Sequence, residues 1–128
     1  MNRTLLAVSL LASTLLGCKP DHTQTLRDVR AAIEEPIATE DVRHRHEALV
    51  QHAVEDGAFE RLTRPELQQQ LGSGTRCAVD PICAQQGFEQ EDMYFEIGTR
   101  GEGGRPPIVL VGFDLEGVSV RSRYLTFQ

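Results

Sequence analysis

The sequence lacks an apolar run long enough to cross a membrane. Its N-terminal run covers twelve residues, 5–16, and contains no charge. A membrane-spanning helix needs about 20 apolar residues. The run follows a short positive end that includes Arg3, and a positive end before a short apolar run is typical of an export signal. We therefore predict a signal peptide over residues 1–17 and not a membrane span.

The sequence also lacks the short motifs of several common enzyme classes. It contains no H-E-x-x-H metal motif, no G-x-S-x-G nucleophile motif and no P-loop. Its glycine-rich stretch, residues 101–104, lies between two predicted strands, and no helix follows it whose N-terminus could receive a phosphate. We therefore expect that the protein is not an enzyme and needs no cofactor.

Four histidines are the remaining candidates for catalysis or metal binding: His22, His44, His46 and His52. On a helix, His44 and His46 point to opposite sides, and His44 lies roughly 12 Å along the axis from His52. Neither pair could share one metal ion. His46 falls on the apolar ridge of its predicted helix, which predicts a hydrogen-bonded core histidine. We expect no catalytic residue and no metal ligand.

Positive charge is scarce in this chain. It has 13 lysines and arginines against 19 aspartates and glutamates, a formal net charge of −6. Removal of residues 1–17 takes away Arg3 and gives 12 − 19 = −7. Such an acidic surface repels nucleic-acid phosphates and offers no basic patch to anionic lipid head groups. We expect no nucleic-acid partner, and a lipid must provide any membrane attachment.

The signal peptide leads into Leu15-Leu16-Gly17-Cys18, which resembles the lipobox of bacterial lipoproteins. The resemblance implies that the Cys18 thiol carries diacylglycerol, that cleavage precedes Cys18, and that the new amino group receives a fatty acid such as palmitate. Lys19 stands where aspartate marks inner-membrane retention in many such lipoproteins, which favours the outer membrane, facing the periplasm. The alternatives are an ordinary secretory peptide with an incidental cysteine, and a buried helix.

Only three cysteines are present, and lipidation of Cys18 would leave an even pair, Cys77 and Cys83. In an oxidising compartment such a pair predicts a disulfide. Asp80-Pro81 lies between the two cysteines, and Asp-Pro favours a turn that would bring them together. A zinc site and a redox-active dithiol are the alternatives. Both usually have fewer residues between paired cysteines than the five found here.

Helical patterns occupy the first half of the chain after the signal peptide. A lipidated tether is predicted over residues 18–24, and a first helix over residues 25–34. A second helix is predicted to begin at Pro36 or Thr39 and to end at Asp56.

The third helix, predicted over residues 64–71, has the clearest local signals. Thr63 and Glu66 fit a capping box, in which each side chain pairs with the backbone amide of the other residue. Leu62 and Leu67 fit the hydrophobic contact that often accompanies such a cap.

The C-terminal half changes to the patterns of strands. Residues 93–98 and 118–124 alternate between apolar and polar, and residues 108–113 form an apolar run. Short connections between them predict a three-stranded antiparallel meander. With two to three N-terminal helices packed on it, this is an α+β fold in a single domain over residues 25–128. The outward face of the sheet would carry Tyr94, Glu96, Arg121 and Arg123.

Three segments of this domain, Thr63 to Gly72, Met93 to Gly98 and Phe113 to Val120, resemble the SmpA/OmlA (BamE-like) group of small outer-membrane lipoproteins. The first has the form T-R-x-E-L-x-x-x-L-G, and the second is an aromatic strand. The resemblance implies a helix-plus-sheet plan, which the β-lactamase inhibitor proteins share. The chain departs from the group at its paired-cysteine loop and in two additional N-terminal helices, so no functional residue is carried over.

Two functions are consistent with a small lipidated domain that lacks motifs. The first is a non-catalytic scaffold or protein-interaction module of the cell envelope, which binds an unidentified envelope protein through the sheet or its loops. The second is an inhibitor or small-ligand-binding lipoprotein of the periplasm, which would need a deep apolar pocket beside the disulfide loop. We expect the first.

Overall fold

The computed structural model describes residues 21–99 and 105–127 of the chain. The predicted signal peptide, the predicted lipidation site Cys18 and the glycine-rich residues 101–104 lie outside the described residues. Within those two ranges the chain forms four α-helices and a four-stranded antiparallel sheet. The predicted α+β class is confirmed.

The first helix, α1 (Thr23–Glu34), begins two residues earlier than predicted. Asp21 Oδ1 accepts a hydrogen bond from the Thr23 amide at 2.9 Å, which satisfies one of the backbone donors left open at a helix start. The last residues of the predicted tether therefore belong to the helix. Its buried face consists of Leu26, Val29 and Ala32.

The second helix, α2 (Glu40–Glu55), begins at the later of the two predicted positions. The Thr39 hydroxyl accepts a hydrogen bond from the Val42 amide at 3.2 Å, which caps the helix. Beyond its end, Gly57 adopts a φ of +72°, a left-handed conformation that ends many helices and that glycine adopts at little cost. The buried face of α2 consists of His46, Val50 and Ala53.

The third helix, α3 (Arg64–Leu71), has the predicted capping box. The Thr63 hydroxyl accepts from the Glu66 amide at 3.3 Å, and Glu66 Oε1 accepts from the Thr63 amide at 3.2 Å. Leu67 is fully buried, and Leu62 packs against the same core. The local signals in the sequence therefore predict this helix correctly.

The sheet has the strand order β1 (Thr75–Arg76), β2 (Met93–Glu96), β3 (Ile108–Phe113) and β4 (Ser119–Leu125), each antiparallel to the next. The three predicted strands are present. β1 is additional, because two residues are too few to show an alternating pattern. β4 forms one edge of the sheet, and a bulge between Gly112 and Phe113 shifts its register against β3.

One face of the sheet carries the three N-terminal helices, as predicted. Its inward side chains are Met93, Phe95, Val109 and Val111, and they form one core with residues of α1, α2 and α3. Phe59, from the connection between α2 and α3, is fully buried in the same core. The helices thus bury their apolar faces against alternate residues of the strands.

The opposite face of the sheet, predicted to be exposed, is covered in part: Tyr94 is buried, whereas Arg121 and Arg123 are exposed, as predicted. A 3-10 turn (Cys77–Val79) and a short helix, α4 (Pro81–Gln85), lie over it. Tyr94, predicted to face solvent, is only 6% exposed. It belongs to a second core with the two cysteines and with Phe88, Ile108 and Leu110. Alternation in β2 correctly separates the two faces, but it does not show what covers them.

Candidate functional site

Cys77 and Cys83 form the predicted disulfide, with their Cα atoms 5.5 Å apart. The residues between the two cysteines include the start of α4. Asp80 caps α4, and its Oδ1 accepts a hydrogen bond from the Ile82 amide at 3.0 Å. Pro81 is the first residue of that helix, where the missing amide costs no hydrogen bond. The Asp-Pro pair therefore begins a helix inside the disulfide loop.

We expect the double variant Cys77→Ser/Cys83→Ser to lose about 2–3 kcal/mol of unfolding free energy, because the disulfide closes a short loop in the unfolded chain. Urea unfolding of the purified protein measures this loss. Wild-type protein held under reducing conditions is the control and should unfold at the same urea concentration as the variant. An unchanged unfolding midpoint in the variant would contradict a stabilising role for the disulfide.

The second carboxylate oxygen of Asp80 connects the disulfide segment to the sheet. It accepts hydrogen bonds from the Tyr94 hydroxyl at 3.1 Å and from Arg105 Nη2 at 2.6 Å. The Ile82 amide, followed by Arg105 and Tyr94, lowers the pKa of Asp80. Burial, followed by the hydrogen bond to Asp80, raises the pKa of Tyr94. At neutral pH the pair is therefore an anion and a neutral phenol, which suits a structural contact.

Two arginines of β4 contact the residues that follow α4 and so hold the disulfide segment against the sheet. The guanidinium carbon of Arg121 lies 4.1 Å from the centroid of the Phe88 ring, and Arg123 Nη1 donates to Gln86 Oε1 at 2.9 Å. A Cβ at Gly112 would come within 2.7 Å of Arg121 Nε, so glycine leaves the room in which Arg121 crosses the sheet. Arg121 and Arg123, predicted to face a partner, thus make contacts within the chain.

His46 lies in the core, as predicted, with a side chain only 2% exposed. Its Nε2 is 3.0 Å from Glu35 Oε2, and the other oxygen of Glu35 accepts from Arg45 Nη2. These hydrogen bonds, first from His46 and then from Arg45, lower the pKa of Glu35. Nδ1 of His46 has no hydrogen-bond partner among the described residues. The cluster fastens α2 to the end of α1.

Two other histidines lie on the surface of α2. His44 is 3.9 Å from Glu40, and His52 is 3.0 Å from Asp56, each pair one turn apart on the helix. The two histidine side chains are 70% and 67% exposed. Across residues 21–99 and 105–127, no group of three or more His, Cys, Asp or Glu side chains could hold a metal ion. His44 and His52 therefore each lie beside a carboxylate one helix turn away, and His22 lines a cleft described below.

A cleft of about 370 Å³ opens between the start of α1 and the connection from α2 to α3. Its apolar lining includes Leu26, Ala58 and Leu62. Polar side chains line the rest, among them Asp21, His22, Asp56, Glu60 and Arg61. The sequence does not predict this cleft, because its walls come from separate segments and contain no motif.

One wall of the cleft is the connection between α2 and α3. Two of its residues, Gly57 and Arg61, have a left-handed backbone, and the φ of Arg61 is +65°. This conformation costs an arginine roughly 1–2 kcal/mol. Pairing with β4 offsets the cost: the Arg61 amide donates to the Ser119 carbonyl, and the Ser119 amide donates to the Leu62 carbonyl, both at 2.8 Å. The connection is therefore held in place although it has no regular secondary structure.

Negative charge prevails in the cleft. Its lining contains the carboxylates of Asp21, Asp56 and Glu60 and the guanidinium of Arg61, a formal net charge of 1 − 3 = −2 with histidine neutral. Hydrogen bonds from the side chain and then the amide of Thr23 lower the pKa of Asp21, so this carboxylate is ionised at neutral pH. Leu26 and Ala58 are buried, whereas Asp21 and Asp56 are exposed, so the cleft has an apolar wall and an acidic rim.

The cleft lies on the helical side of the sheet and not beside the disulfide. Leu26 and Ala58, which line it, belong to the helical core. Beside Cys77 and Cys83, the side chains form a separate packed cluster on the other face. This cleft is therefore not the pocket beside the disulfide loop that the inhibitor or ligand-binding hypothesis requires.

Comparisons with family models, curated proteins and solved structures found no match to this chain. In the described part of the chain, no helix is long and apolar enough to cross a membrane. The lipobox at Cys18 and the resemblance to the outer-membrane assembly lipoproteins therefore stay predictions from the sequence.

Proposed function

We propose that the chain is a lipid-anchored cell-envelope protein that acts as a non-catalytic scaffold or protein-interaction module, on the periplasmic side of the outer membrane. One observation carries the proposal. Asp21, which lines the cleft, follows the predicted lipidation site Cys18 by three residues. Three residues span at most about 11 Å. A partner segment bound in the cleft would therefore be held at the membrane surface.

The contacts of the described carboxylates suit binding better than catalysis. Asp80 and Glu35 each accept hydrogen bonds from several groups of the chain itself. By contrast, the half-buried side chain of Glu60 makes no hydrogen bond or ion pair with another described residue. Glu60 lies in the cleft, so the cleft holds an acceptor that a partner could use.

An inhibitor or small-ligand-binding lipoprotein is the second candidate. The volume of the cleft, about 370 Å³, falls within the range of small-molecule sites, roughly 300–1,000 Å³. Such sites are mostly apolar, whereas this one has an acidic rim, which favours a charged segment of a protein. The interaction module is therefore the function we propose.

Photo-crosslinking in living cells tests this proposal. A photoreactive amino acid is placed at Gln70 in the cleft, at Val79 in the disulfide segment, or at Leu115 in the turn between β3 and β4. Val79 and Leu115 are exposed, and Gln70 lines the cleft. We expect at least one position to capture the same envelope protein in repeated experiments.

The matched control carries the same photoreactive residue together with Cys18→Ser. If Cys18 is lipidated, this variant lacks the lipid and should not reach the outer membrane, so it should lose the captured protein. The proposed function is wrong if none of the three positions yields a reproducible protein product in the lipidated chain.

A further inference from the structure

We propose that the cleft binds a lysine or arginine side chain of a partner peptide at the membrane surface, an inference that rests on the proposed interaction module. Long basic side chains combine an apolar stem with a cationic end. The cleft has the matching order of groups, with Leu26, Ala58 and Leu62 on its apolar wall and carboxylates on its rim. The stem would lie on the wall, and the cation would lie among the carboxylates.

Glu60 is the carboxylate of the lining with which the cation would pair. Its side chain is half-buried and has no hydrogen bond or ion pair to another described residue. Its Oε2 lies 2.9 Å from the position that a Cβ would take at Gly57, so the glycine leaves the space that this carboxylate occupies. A cation in the cleft would give this carboxylate an ion pair.

The remaining charges of the cleft select the sign of the ligand. Asp21 accepts its hydrogen bonds from the neutral amide and hydroxyl of Thr23, and His22 and Arg27 act on its charge more weakly through space. Arg61 supplies the positive charge on the rim, and the net charge of the lining is −2. An acidic peptide or an anionic lipid head group would therefore be repelled, whereas a basic side chain is attracted.

The test uses full-length lipidated protein in detergent micelles and two peptide probes. One probe is acetyl-Gly-Leu-Arg-Gly-amide, and the other has glutamine in place of arginine. Binding is followed through the NMR signals of the Leu26 and Leu62 methyl groups, which line the cleft. We expect both signals to shift with the arginine peptide and the glutamine peptide to bind at least tenfold more weakly.

Two substitutions in the cleft should change the affinity in opposite directions. Glu60→Gln should weaken binding of the arginine peptide about three- to fivefold, because it removes one attractive charge. Arg61→Gln should strengthen binding about two- to threefold, because it removes the repulsive one. Glu116→Gln is the matched control: it removes the same charge from the exposed turn between β3 and β4 and should leave the affinity unchanged.

Three results would overturn the inference. Equal binding of both peptides would show that the charge is not recognised, and equal effects of Glu60→Gln and Glu116→Gln would show that the cleft is not the site. If bilayers of phosphatidylethanolamine, but not of phosphatidylcholine, shift the same methyl signals and exclude the peptide, a lipid head group is the occupant.

The two proposals fail in distinguishable ways. Capture of a partner at Val79 or Leu115 without binding of the arginine peptide would support the interaction module and contradict the basic-residue site. Selective binding of the arginine peptide without any captured protein in cells would support the site and contradict the module.

Discussion

Substitution of Cys18 by serine should leave the chain as an unprocessed or mislocalised precursor. In the lipoproteins that its lipobox resembles, the thiol takes the lipid, and a serine hydroxyl would not replace it. Stable anchoring needs more than one acyl chain, and the acidic surface provides no electrostatic substitute. Membrane fractionation and intact-mass measurement should show a chain of 128 − 17 = 111 residues plus lipid in the wild type. The variant should show no lipid mass and should not reach the outer membrane.

Cys77→Ser serves as the control for the loss of a cysteine. It breaks the disulfide but leaves the lipobox intact, so it should retain the lipid mass and the membrane location. If the wild type is cut before Cys18 and yields a soluble product without lipid, the anchoring proposal is wrong.

Asp92→Ala should lose about 3–5 kcal/mol of unfolding free energy, since two hydrogen bonds to a charged acceptor disappear at a buried position. Asp92 is 2% exposed. Its Oδ2 accepts from the Glu89 amide at 2.8 Å and its Oδ1 from the Phe113 amide at 2.9 Å. Its backbone carbonyl also accepts from the Cys77 amide. One residue thus connects the disulfide segment, β2 and β3, and urea unfolding measures its contribution.

Asp92→Asn keeps the test informative if the alanine variant does not fold. The amide retains one acceptor oxygen but presents an NH2 group to the second backbone donor, so the loss should be smaller, about 1–3 kcal/mol. Glu116→Ala, at an exposed position, should change the unfolding free energy by less than about 0.5 kcal/mol. A loss below 1 kcal/mol in Asp92→Ala would contradict the role given to this carboxylate.

Features that depend on neighbours in sequence could be predicted for this fold. The capping box of Thr63 and Glu66 requires a separation of only three residues, and the structure contains it. The disulfide follows from cysteine parity across a loop of seven residues. The alternation in β2 correctly separates Phe95 from Tyr94 on the two faces of the sheet. In each case the signal and the structure share the same short stretch of chain.

Features that depend on distant contacts could not be predicted. Tyr94 is buried because the disulfide segment folds back over the sheet, which alternation within β2 cannot reveal. The position of His46 on the apolar face of α2 predicts that it is buried. Its partner Glu35 precedes α2 in a different segment, so the pattern of α2 does not predict this contact. The cleft depends on Arg61, whose left-handed backbone is stabilised by pairing with Ser119. That pairing leaves no pattern in either segment.

The edge strand β4 has a consequence for many copies on one surface. If the chain is anchored by lipid, its copies diffuse in two dimensions and their edges meet often. Arg61 and Leu62 pair with β4 at Ser119, and an edge strand that is open beyond such a pairing is a template for pairing between chains. The bulge at Gly112 and Phe113 distorts the register of this edge, and bulges hinder such pairing. Arg121 and Arg123 place two positive charges along the strand, so two copies aligned edge to edge would repel each other. The arginines that hold the disulfide cover in place would thus also keep crowded copies from joining their sheets.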